Sequence, residues 1–251
     1  MKKVELRVEL IGNAYIGTSG WTYEAWKDGF YAGLPRKDWL RYAASRFTGL
    51  EVNGTFYHQL QKSVFTNWKN ATPPEFRFTI KAHRYLAHVK RLEAPQKSFD
   101  QQRKAAAGLG NKLAAVLWQM PSNLRRDDDR LEHFAKLLKS WPETRHALEF
   151  RHSSWFNDEV AKRLEAHQLA VCQSDAPDWP LWNAITTDLV YVRLHGHAVT
   201  YVSAYGSRSL RPWADRIRRW RAERRDVHVY FDNTDAGNAP RDALALIKLA
   251  K

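Results

Sequence analysis

Eight short stretches of this chain read as strands, several of them alternating apolar and polar residues with a period of two, and nearly all are separated by stretches of helical periodicity. They span residues 15–21, 49–57, 76–81, 113–119, 145–151, 169–175, 189–195 and 227–232. Between them, Asp38 is placed to cap a helix carrying Trp39, Tyr42, Ala43 and Phe47. Further helices are expected over residues 63–70 and 96–108, then after Asp127-Asp-Asp129, after Asn157, and with Pro212 near the start of a Trp213–Ile217–Trp220 stripe. Only residues 177–182, rich in Pro and Trp, connect two strands without a helical signal. Strand followed by helix, repeated, buries its apolar surface as a parallel sheet with right-handed crossovers, and eight repeats close it into a barrel. The expected architecture is α/β, a single (β/α)8 TIM barrel over residues 14–251. Residues 1–13 precede it; Val4, Leu6, Val8 and Leu10 alternate there, so this extension reads as a short extra strand or a loose leader.

Parity then sorts side chains between two faces. Outward residues pack on helices and are apolar, whereas inward ones fill the barrel. This rule places Glu51, Asn53, Thr79, Lys81, His83, Gln119, Glu149, Arg151, Gln173, Asp175, Tyr191, Arg193, His195, Tyr230 and Asp232 inside, most of them late in their strands. Cys172 falls on the outward face as packed core. Polar groups converging at the C-terminal mouth are where such barrels keep their sites. Glu51, Glu149, Asp175 and Asp232 meet Lys81, Arg151 and Arg193 there, a mixture of signs that holds pKa values apart as acid–base chemistry requires.

Glu149, His195 and Asp175 are therefore the catalytic candidates. Lys81, Arg151 and Arg193 are placed to hold an anion, with Glu51, Asn53, Gln119, Asp232, Trp21, Tyr57 and Trp155 completing the binding surface. Hydrolysis and isomerisation are the reaction classes this suits. The same residues also describe a salt-bridge network that only closes the barrel. A divalent metal on Glu51, Glu149, Asp175 and His195 is a further alternative, although three cations compete for those carboxylates, and no cofactor is otherwise expected. The absence of a Gly-x-Ser-x-Gly elbow leaves Ser19 and Ser153 weak as nucleophiles.

Lys and Arg outnumber Asp and Glu by 40 to 27, giving a net charge of +13 that favours an anionic partner, whether small molecule or nucleic acid. Seven arginines between Arg211 and Arg225 make either a solvated helix face or a footprint for phosphate backbone. A single cysteine excludes an intrachain disulfide framework, which suits a cytoplasmic setting. No apolar run is long enough to span a bilayer, and the first ten residues lack a signal-peptide core.

Taken in order, Gly17-Thr-Ser-Gly-Trp21, Glu51-Val-Asn-Gly-Thr-Phe-Tyr57, Phe78-Thr-Ile-Lys81, His88, Gln119-Met-Pro121, Glu149-Phe-Arg-His-Ser-Ser-Trp155, Val192-Arg-Leu-His-Gly196 and Tyr230-Phe-Asp-Asn-Thr234 resemble the successive motifs of the DUF72 (YecE-like) family. The resemblance covers nearly the whole chain from about residue 14. It implies a TIM barrel and supplies no established activity. Asp232 stands where the family usually has asparagine, and Gln61 where proline is common. The fold is also similar to metal-using barrels of the xylose-isomerase and endonuclease IV kind, which extends the metal alternative to phosphodiester or sugar chemistry by analogy alone.

Overall fold

The computed structural model of the protein describes residues 11–251. The alternation at Val4–Leu10 lies outside the described residues, and positions 11–13 are not strand. Eight strands follow: β1 (Ala14–Thr18), β2 (Gly49–Val52), β3 (Arg77–Lys81), β4 (Leu113–Gln119), β5 (Arg145–Glu149), β6 (Ala170–Asp175), β7 (Leu189–Leu194) and β8 (Asp226–Phe231). Every ladder is parallel, in the order β1-β8-β7-β6-β5-β4-β3-β2. The helices are α1 (Trp39–Arg46), α2 (Gly54–Tyr57), α3 (Lys62–Asn70), α4 (Gln96–Ala106), α5 (Asp128–Leu138), α6 (Asp158–Ala166), α7 (Ser207–Ala222) and α8 (Asn238–Leu249). No helix joins β6 to β7. The expected (β/α)8 barrel is the observed one. None of the described helices is long and apolar enough to cross a membrane.

Closure falls between β1 and β2. The Thr48 N–H donates to the Ile16 carbonyl (3.2 Å), the Gly20 N–H donates to the Glu51 carbonyl (2.7 Å), and Ser19 bridges Glu51 in parallel. A Cβ at Gly17 would lie 1.9 Å from the Gly49 carbonyl oxygen, so the two backbones meet only because this residue has no side chain.

The sheet separates two apolar layers. Outside it, Leu50, Phe78, Val116, Trp118, Leu148, Val192 and Val229 pack with Phe134, Leu164, Ile217 and Leu246 of the helices. Each such side chain contributes about 1.5–3 kcal/mol on burial. Inside, Ala115, Leu117, Ala147, Ala170, Cys172, Leu189, Tyr191 and Tyr230 plug the barrel below its mouth.

Three local expectations change. Asp38 makes no side-chain cap; a short 3-10 turn, Arg36–Asp38, leads into α1 instead. Pro212 lies within α7, because the helix already begins at Ser207. The third correction is the facing of β6. Cys172 pairs with Tyr191 and Ser174 with Arg193, and paired residues of parallel strands point the same way. Ala170, Cys172 and Ser174 therefore face inward, while Gln173 and Asp175 face out. Polar character misled the parity rule. With no helix after β6, outward Gln173 is covered by the Arg216 guanidinium and the Ala184 carbonyl rather than by apolar side chains.

Candidate functional site

Arg193 is the hub of the mouth. It comes from the inward face of β7, is fully buried, and commits its whole guanidinium. Nε and Nη2 donate to Glu51 Oε1 (3.1 and 2.9 Å), Nη1 to Glu149 Oε2 (3.0 Å), and Nη2 also to Asp232 Oδ2 (3.0 Å) and Ser19 Oγ (3.2 Å). Nη1 lies 3.3 Å from His195 Nε2, a contact that requires His195 to accept there and be unprotonated on that nitrogen. Its Nδ1 then faces Asp232 Oδ2 at 3.1 Å. Tyr191 donates to Glu51 Oε2 (2.6 Å). Glu149 accepts from Gln119 (3.1 Å), Ser174 (3.2 Å) and Arg151 Nε (2.9 Å).

These contacts set the charges. Burial pushes the Glu149 carboxyl up, but the Arg193 and Arg151 guanidiniums, with Lys81, outweigh it and hold the group well below the usual carboxylate range. Burial also opposes ionisation of Asp232, and Arg193 with His195 brings that carboxyl below its ordinary value. For His195, burial and then Arg193 depress the pKa against the pull of Asp232, which keeps the ring neutral.

Above the hub lies a cavity of about 450 Å³, lined among others by Tyr23, Asn53, Tyr57, Lys81, Tyr201 and Asp232. Lys81 ends β3 with its Nζ 4.1 Å from the centroid of the Phe56 ring. Among the described residues that ammonium has no hydrogen bond and no ion pair. Burial, then Arg193, lowers its pKa to about 8 despite Asp232, Glu149 and Glu51. Nearby, Asn53 Oδ1 and His88 Nε2 also have no hydrogen-bond partner among the described residues. His88 meets Phe56 edge-on at 4.9 Å, from a π-helical turn, Tyr85–Val89. Such turns recur at functional sites. Arg151 lies over the Trp179 ring at 4.2 Å and donates through Nη1 to the Tyr201 hydroxyl (3.4 Å), leaving Nη2 uncommitted. Tyr201 itself holds a left-handed backbone, φ +66°, unusual for a bulky residue.

The structure thus brings Glu51, Asn53, Tyr57, Lys81, Gln119, Glu149, Arg151, Arg193, His195 and Asp232 together at one mouth. Three expected members are elsewhere. Asp175 points away from the hub and accepts from the Tyr205 hydroxyl (2.6 Å), so Ser174 takes its place beside Glu149. Trp21 packs edge-on against Trp68 at 5.1 Å on the outer side of the sheet. Trp155 is fully buried, stacked on Phe150 at 4.5 Å with its N–H donated to the Leu124 carbonyl. His83 turns its Nδ1 to the Tyr85 N–H (3.2 Å) and lines a separate cavity beneath α4. Reasoning from parity overlooked Ser19, which falls in the expected first stretch but just beyond the observed β1, and Tyr23 and His88, which lie outside the strands it can read. His88 was visible in the motif order, without a role attached. Among the described residues no group of three or more His, Cys, Asp or Glu side chains is placed to hold a metal ion. The four metal-ligand candidates are not assembled, since Asp175 faces outward and both glutamates are bound to Arg193.

Comparison with known proteins agrees with this fold. The family model described as "Protein of unknown function DUF72" matches residues 15–251. The UPF0759 protein YunF of Bacillus subtilis is 23% identical, over 94% of both chains. A crystal structure of a DUF72 family protein from Thermotoga maritima superposes with a TM-score of 0.82 at 28% identity, covering 94% of this chain and 98% of that one. Another, from Enterococcus faecalis, shares the fold with a TM-score of 0.82 at 19% identity, covering 94% of this chain and 95% of its own. With its ordered motifs and the barrel they build, this chain belongs to the DUF72 family.

Proposed function

We propose that the protein is an enzyme that binds a small anionic substrate in the mouth cavity and acts on it by acid–base chemistry. The observation that carries this reading is Lys81, a buried side chain at the cavity wall whose ammonium has no hydrogen bond or ion pair among the described residues. A buried unpaired charge is costly, and proteins retain that cost mainly where the group is used. Arg151, with Nη2 uncommitted and its guanidinium fixed by Glu149 and Trp179, is the anchor for the anion. Lys81 is the reactive group, because its pKa of about 8 lets it lose or take a proton near neutral pH. Glu149, Arg193 and His195 support the site from beneath it. They are fully buried and bonded to one another, so their role is to position Arg151 and Asp232.

The test is a melting-temperature screen of carboxylate- and phosphate-bearing metabolites on the wild type, Arg151→Met and Lys81→Met. The expected result is stabilisation of the wild type by an anionic ligand, with affinity reduced about tenfold or more in Arg151→Met, as for loss of a charge-assisted hydrogen bond. Equal binding of uncharged analogues, or unchanged binding by both variants, would refute the reading.

A further inference from the structure

We propose that Lys81 is a nucleophile that joins a substrate carbonyl carbon as an imine, which makes the substrate class small aldehydes, ketones or oxo acids carrying a carboxylate or phosphate. The inference rests on the reading of the mouth as an active site and narrows what enters it.

An amine that attacks carbon needs a free lone pair, open space in front of it and a fixed root. Lys81 has all three. Its Nζ is without a partner among the described residues, over the face of Phe56 and at the wall of the mouth cavity. Its backbone is fixed where β3 ends, since the Thr55 hydroxyl lies within hydrogen-bond distance of both the Lys81 carbonyl (2.7 Å) and the Val52 carbonyl (2.8 Å) and donates to one or the other. A lysine held in a salt bridge could not serve, and the hub avoids that arrangement by pairing Glu51, Glu149 and Asp232 with Arg193.

The charged and titratable groups around Lys81 act in opposite directions. Burial and Arg193 from β7 favour the neutral amine; Asp232 beyond β8, Glu149 on β5 and Glu51 on β2 favour the ammonium, while Arg151 and Lys81 in turn disfavour protonation of His88. With the balance at about 8, about one Lys81 in ten is a free amine at pH 7.

In the chemical step the amine lone pair attacks the carbonyl carbon, and the C=O π electrons move to oxygen, which takes a proton. The resulting carbinolamine loses a proton from nitrogen, its hydroxyl takes one and departs as water, and the nitrogen lone pair forms the C=N bond. One water is released and nothing is oxidised or reduced. Among the described residues, Asn53 Oδ1 at the cavity wall lacks a partner and is available to accept from the carbinolamine hydroxyl, and His88 Nε2, also without a partner and beside the Phe56 ring, is the nearby group available to relay a proton. Arg151 holds the substrate's anionic end.

The experiment treats the native full-length protein with pyruvate, glyoxylate or glycolaldehyde phosphate plus cyanoborohydride, then measures the reduced adduct on every lysine by peptide mass. The expected result is labelling of Lys81 about tenfold or more faster than the exposed Lys97, falling about tenfold per pH unit below pH 8. Lys81→Arg should abolish that adduct and still bind lactate, which has the anion but no carbonyl. Labelling no faster at Lys81 than at Lys97 overturns the proposal. If lactate still raises the melting temperature in that case, the anion-binding site survives and only the imine is lost; if it does not, both readings fall.

Discussion

Lys81 and Arg193 show two ways for a cation to exist inside a barrel. Arg193 is surrounded by acceptors and its five N–H groups are occupied, so removing it would strand three carboxylates. Lys81 has no hydrogen-bonding acceptor among the described residues, only the Phe56 ring and the more distant pull of Asp232, Glu149 and Glu51, and its folded pKa of about 8 lies below the unfolded value of 10.5. Between those values the unfolded state binds more protons, so stability rises with pH across that window, and below pH 8 the wild type carries the full cost. That cost is about 3 kcal/mol. Lys81→Met should therefore be more stable than the wild type at pH 7, with the gap closing as pH rises from 8 towards 10.5. Urea unfolding of both proteins at pH 7 and 9.5 measures it; a gap that does not change with pH would show that Lys81 is not desolvated.

At the scale of elements, the barrel depends on one contact that no side chain could make. Gly17 of β1 lies against the Gly49 carbonyl of β2, at the seam where no ladder joins the strands. Gly17→Ala should cost about 3 kcal/mol or more through forced separation of two backbones. Gly54→Ala, with nothing within 4 Å of the added methyl, should stay within about 0.5 kcal/mol of wild type. Melting temperatures of the two variants settle this, and equal values would mean that the seam is not closed as described. The lesson of β6 is of the same kind. Its inward residues are Ala170, Cys172 and Ser174, small because large Tyr191 and Tyr230 already fill the adjacent interior. Small size, rather than polarity, marked the inward face.

For the whole molecule, the charge of +13 lies mainly away from the mouth, where Glu51, Glu149 and Asp232 balance Lys81, Arg151 and Arg193. Part of it is structural. On and beyond α7, Arg216 lies over Trp213 and Trp220 (4.3 and 4.8 Å), Arg221 binds the Gly12 carbonyl (3.0 Å), and Arg225 binds the Thr187 carbonyl (2.7 Å). Arg211, Arg218, Arg219 and Arg224 remain exposed. Binding to duplex DNA should therefore be loose. With about four phosphate contacts, affinity should fall about a hundredfold between 50 and 200 mM salt, and Lys81→Met should leave it unchanged. Fluorescence anisotropy checks this. Salt-resistant binding that depends on Lys81 would instead place nucleic acid in the mouth.

The eight strands, their order along the chain and the closed parallel sheet were written in local periodicity, because each strand needs apolar residues on the face its helices cover. The same rule put Gln119 and Glu149 on the inward face, where they lie 3.1 Å apart. It could not decide the facing of β6, whose two sides are small or polar and whose orientation follows only from pairing with β7. Nor could it place Trp21 or Trp155, since loop residues have no parity and fall on whichever side the chain path leaves room. Which charges are satisfied was likewise beyond it: that Arg193 is saturated and Lys81 is not depends on acceptors contributed by β2, β5 and the turn after β8. Local sequence specifies the type of each side chain and the face of its strand; only the closed barrel determines which charges meet.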